Sequence, residues 1–243
     1  MSTVFTKIIF PAVLGIEQFA SQVVRLGGIF PEIEIELIDS STGIHYFKIA
    51  KILPNYGPRM IASAVAESEL QIDQFWNILA YIRDTTIRST GQVLYEVNGH
   101  PQEFNPNPRP SGTGRLVTVA TENWFDDKVS LFHKSYDLDL LKRFNFSRAI
   151  EEPIGKFVSL YSLLTSRCGD SQAEADKLIE AVDANIGKSL SPKTGKPETI
   201  FTRLRNELAH NRSGSSVVET HKSIEVHLSR FEWVVKVVVG RSI

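Results

Sequence analysis

Glu32, Glu34 and Glu36 alternate with Ile33, Ile35 and Leu37. This strict alternation sends every apolar side chain to one face and predicts a half-buried strand over residues 32–38. Residues 44–53 form a second β-rich segment, entered through a turn at Ser40, Ser41, Thr42 and Gly43. Together the two predict a hairpin. Shorter strands are predicted at 60–66, 92–97 and 115–121. Between them the period lengthens: Ile72, Phe75, Trp76, Leu79 and Ile82 share one face of an amphipathic helix over about 71–84. Residues 98–114, rich in Pro, Gly and Asn, predict a long exposed loop within the same domain.

From residue 137 the helical period dominates. A short helix is predicted over 137–144. A longer one over about 150–167 has the stripe Phe157, Leu160, Tyr161 and Leu164, with Pro153 tolerable in its first turn. The next opens at a capping box, Ser171 and Glu174, and carries Ala175, Leu178, Ile179 and Val182. A Gly/Lys/Pro-rich connection over 187–197 leads to a helix over 198–210. A last helix over 218–239 turns Ile224, Leu228, Phe231, Val235 and Val238 inward. The predicted fold class is α+β. A β-rich domain of mixed structure with one amphipathic helix spans 1–136, and an all-α helical bundle spans 137–243.

Charge sharpens this division. Residues 1–142 carry 12 Lys and Arg against 16 Asp and Glu, while residues 143–243 carry 15 against 12. The whole chain is near neutral at −1, so bulk charge does not make it a polyanion binder. Six basic residues and two acidic ones fall within 188–212. A solvated helix face would look the same. Cys168 is the sole cysteine, which excludes an intrachain disulfide and a thiolate metal cage and fits a small buried residue. His45, His100, His133, His221 and His227 show no metal-binding spacing, so neither metal nor cofactor is expected. Trp76, Trp124 and Trp233 read as core or interface aromatics, and Asp126 with Asp127 as a turn or linker. The N-terminus lacks a signal peptide's apolar core and cleavage site. No run reaches the roughly 18 apolar residues of a membrane span, so a cytoplasmic protein is expected.

The basic cluster surrounds one candidate for chemistry. Arg205, Asn206 and His210 lie near the end of the predicted third long helix. A histidine can move protons and an arginine can hold phosphate charge, which together suffice for phosphodiester chemistry without metal. At about 100° per residue, Ile200, Phe201, Leu204 and Leu208 form the core stripe. Asn206 and His210 share the opposite face, with Arg203 beside them, and Arg205 lies about 140° from His210. The polar pair therefore faces solvent or another chain. Two such helices across a two-fold axis would form a cleft. A plain structural alternative is a histidine favoured by the helix dipole beside solvated arginines.

The run from Glu198 to His210, on a helix of a four-helix bundle, resembles the signature of the HEPN domain superfamily. It looks like the signature of the ApeA-like and methylamine-utilization-protein-MauJ-like branch of that superfamily. Pro153, Phe157, Leu160, Tyr161, Leu178 and Ile179 fit the same pattern, which covers residues 145–240. The resemblance implies a metal-independent endoribonuclease acting as a homodimer on RNA. It implies a partner protein too, from a toxin–antitoxin pair or an anti-phage defence system. It assigns catalysis to Arg205 and His210, with Asn206 as the accompanying polar residue. Arg203 and Arg212 lie outside the pattern and are expected to bind RNA. The same family includes non-catalytic modules for dimerisation or binding, and that reading stays open.

Overall fold

The computed structural model describes residues 4–14, 22–25, 34–38, 45–53, 58–85, 87–89, 93–97, 100–104, 131, 134–210 and 216–241. The chain is a mixed α+β protein dividing into two compact units, Met1–Ser135 and Tyr136–Ile243. The predicted strand at 115–121, Trp124, Asp126, Asp127 and residues 105–114 fall outside the described residues.

The first unit contains an antiparallel sheet of β1 (Val4–Leu14), β2 (Gln22–Arg25), β3 (Glu34–Ile38), β4 (His45–Leu53), β5 (Ile87–Ser89), β6 (Val93–Val97) and β7 (His100–Phe104). Its order is β2-β3-β4-β1-β6-β7, with β5 also pairing β1. The alternating segment is β3, and it pairs antiparallel with β4 as its pattern predicts. The register puts Ile8 opposite Ile49, and both are fully buried. β7 occupies part of the predicted loop at 98–114.

One helix, α1 (Pro58–Arg83), packs against β1, β4 and β5. It corrects the strand predicted at 60–66. The buried series Ile61, Ala64, Val65, Ser68, Ile72, Phe75, Trp76 and Leu79 keeps one helical phase from end to end. A short apolar run alone cannot distinguish that phase from a strand. Pro58 sits at the helix start, where its missing N–H is no loss. Asp84 ends the helix at φ 54°, and the Thr85 N–H reaches back to the Ala80 carbonyl at 3.1 Å.

Among its described residues the second unit has five helices: α2 (Leu138–Arg148), α3 (Pro153–Ser166), α4 (Gln172–Val182), α5 (Ile200–His210) and α6 (Val217–Gly240). Local chemistry starts the first three. The Asp137 carboxylate accepts from the Leu140 N–H, Glu152 from Ile154 and Gly155, and Ser171 from Glu174. The predicted connection at 187–197 is no plain loop. The antiparallel hairpin of β8 (Lys188–Leu190) and β9 (Pro197–Thr199) spans it and takes the first two residues of the helix predicted over 198–210, so the bundle is not all-α.

α6 packs against α2, α3, α4 and α5. Its Phe231 ring lies 4.5 Å from Phe201, 5.0 Å from Phe157 and 6.1 Å from Tyr161. This aromatic centre joins α3, α5 and α6. Phe201 and Leu204 fix which face of α5 points inward. Cys168 is half-buried rather than part of the core, with its thiol donating to the Leu164 carbonyl. Burial and the nearby Glu174 push the thiol pKa upward, against a smaller effect of Arg167, which makes it a poor nucleophile. Trp76 is buried, but Trp233 is half exposed on α6. Among the described residues, no helix is long and apolar enough to cross a membrane.

Candidate functional site

Two polar networks hold the start and the outer side of α5. Thr199 precedes the helix, and its hydroxyl accepts from the Thr202 N–H at 3.3 Å, as a capping residue does. The same hydroxyl donates to Asp176 Oδ1 of α4 at 2.6 Å. Asp176 Oδ1 also accepts from the Thr199 N–H at 3.2 Å and from Thr202 Oγ1 at 2.7 Å. Since the Thr202 proton goes to the carboxylate, Tyr161 must be the donor in its 2.7 Å bond to Thr202. Burial pushes the Tyr161 phenol up to about 12. All four side chains are buried, and their pairing is what makes a carboxylate tolerable there.

The second network is centred on Asn206. Its Nδ2 donates to Glu198 Oε2 at 3.2 Å and, weakly, to Gln172 Oε1 at 3.5 Å. Its Oδ1 accepts from Gln172 Nε2 at 3.0 Å and from Arg205 Nη1 at 3.2 Å. Asn206 is only 5% exposed. The expectation that Asn206 points to solvent is therefore corrected. The helical projection places it opposite the aromatic core. The start of α4 and the β8–β9 hairpin cover that face, and a projection of α5 alone cannot anticipate this.

The predicted residues go to different places. His210 is exposed at the last turn of α5. It lines a groove of about 630 Å³ together with Asn206, Thr202, Asp176 and Glu198. Lys193 and Lys196, both exposed, line the same groove from the hairpin turn. Arg205 is absent from the lining, and its Nη1 donates to the Oδ1 of Asn206, which does line the groove. Arg203 pairs with Glu207 at 3.3 Å, and Glu207 in turn accepts from Thr220 of α6. That places Arg203 at the α5–α6 seam, off the groove. Arg212 lies outside the described residues.

Sequence reading took Lys193 and Lys196 only as members of a basic cluster and missed Gln172, Asp176, Glu198 and Thr202. The one local signal was turn chemistry: Ser191, Pro192, Thr194 and Gly195 between two short β-capable segments. Gly195 takes φ 65°, and its N–H donates to the Ser191 carbonyl at 2.8 Å. A second groove of about 650 Å³ between α2 and α3 lies beside the exposed Phe146 and Val158. It contains none of the predicted residues, so the chemistry points to the groove at α5.

The arrangement offers a solvent-accessible imidazole, a guanidinium with one donor committed and others spare, and two lysines around a buried polar floor. No family model, curated protein or solved structure matches the chain.

Proposed function

We propose that the second unit is a metal-independent endoribonuclease of HEPN type, working at the groove beside His210. The supporting observation is that His210, Lys193 and Lys196 border one groove together with Asn206, whose amide oxygen accepts from Arg205. His210 accepts the proton of a ribose 2′-OH. The 2′-oxygen then forms a bond to phosphorus and the P–O5′ bond breaks. The leaving 5′-oxygen takes a proton from water or from a second copy's His210, leaving a 2′,3′-cyclic phosphate. Arg205 stabilises the charge gathering on the phosphate oxygens. Asn206 is a positioning residue for Arg205. A homodimer would bring two such half-sites together across α5.

The test compares wild type with His210→Ala and Arg205→Ala on cellular RNA in EDTA. Cleavage by wild type and a loss of about 100-fold or more in each variant is expected, the scale of removing an acid–base group or a charge-stabilising donor. Equal cleavage by the variants, or none by wild type, would sink the proposal.

A second reading is a non-catalytic HEPN module. The burial of Asn206 within its own chain favours it, because a committed amide has little left for phosphate. On that reading His210→Ala changes self-association in light scattering and no RNA is cut.

A further inference from the structure

We infer that this groove selects cytosine and adenine nucleotides, and that Asp176 reads the exocyclic amino group of the base, N4 of cytosine or N6 of adenine. The inference rests on the RNA reading of the same groove and adds which bases it takes.

Asp176 is more than nine-tenths buried and lines the groove. Three donors from Thr199 and Thr202 occupy Oδ1 and fix the carboxylate in place. Oδ2 has no hydrogen-bond partner among the described residues. Oδ2 is not sealed away from solvent, so an N–H of a ligand in the groove can reach it and be accepted there. The nearby Lys193 and Lys196 call for an anionic portion in the same ligand. A free cation would leave the lysines without a role. Inorganic phosphate would be repelled by the carboxylate. A nucleotide satisfies both ends, with phosphate toward the lysines and base toward Asp176. The groove volume of about 630 Å³ lies in the range usual for small-molecule sites.

The chemistry of one free oxygen narrows the base. Cytosine N4 and adenine N6 each present an amino donor, which a carboxylate accepts. Uracil and hypoxanthine present a carbonyl oxygen at the same place, and it would face the carboxylate with like charge. Guanine's adjacent pair of donors, N1–H and N2–H, matches a carboxylate with both oxygens open, and here Oδ1 is already taken.

The experiment titrates the full chain with the 3′-monophosphates of cytidine, uridine, adenosine and inosine by calorimetry in EDTA. Cytidine over uridine and adenosine over inosine are each expected at about tenfold or more, the value of one hydrogen bond to a charged group. Asp176→Asn replaces one acceptor oxygen with an amide donor. With the amide oxygen kept toward the threonines, the preference collapses or turns toward uridine. Equal affinity within each pair for the wild type, or no binding of any of the four, overturns the inference whether or not the variant folds. RNA cleavage in EDTA is read separately. Cleavage without base selectivity overturns the inference alone, whereas selective binding without cleavage overturns the nuclease reading alone.

Discussion

Tyr161 shows how much a single buried side chain can report on its surroundings. It is 3% exposed, donates to Thr202 and touches the aromatic centre around Phe231. Burial holds its phenol near 12, above the ordinary value of 10.0. The folded state therefore keeps a proton that the unfolded chain releases. The resulting stability is fully present below pH 10 and is lost as pH rises toward 12. Over that window the loss is about 2–3 kcal/mol. Urea unfolding between pH 9 and 12 should show this fall in wild type and its absence in Tyr161→Phe. At neutral pH the variant should lose only about 1 kcal/mol, one hydrogen bond's worth. Parallel falls in both proteins would show that the phenol does not titrate this way. Asn206 gives the complementary lesson. Its helical spacing from His210 was legible in the sequence, but its burial was not. The groups that bury it belong to α4 and the hairpin, as many as 34 residues away in the chain.

The β8–β9 hairpin is the element that turns one face of α5 into a groove. Helix α5 alone would present a convex surface. The hairpin leads directly into it, with Thr199 both closing β9 and capping the helix. It also carries Lys193 and Lys196 past the helix they serve. If these lysines hold RNA phosphate, replacing both with Ala should weaken RNA binding. The slope of log affinity against log salt should flatten by about 0.7 for each lysine. Stability should change by less than about 0.5 kcal/mol, since both side chains are exposed. An unchanged salt slope in filter binding would remove the lysines from the site. The hairpin escaped sequence reading because its strands have three residues each, too few for a period to register. α1 was half legible for a related reason. Its first turns are rich in small residues, whose pattern fits strand and helix equally, and only packing on β1, β4 and β5 fixes the phase.

At the scale of the molecule, the second unit has its own core of helices wrapped on α6, with Phe231 near its middle. Residues 136–243, expressed alone, should unfold in one cooperative urea transition, as domains of this size do. A gradual, non-cooperative loss of helix signal would mean that this core is incomplete without the first unit. The sequence by itself determined the α+β class, the β3–β4 hairpin, the capped start of α4, and that Phe201 and Leu204 of α5 face the core. These are local matters of period and capping chemistry, complete within about ten residues. Only the tertiary structure decided that Asn206 is buried, that Arg203 turns to Glu207, and that Asp176, Glu198, Gln172 and two lysines surround His210. Those outcomes depend on desolvation and hydrogen-bond pairing between segments far apart in the chain. A pattern read along one helix carries no information about what will cover its other side.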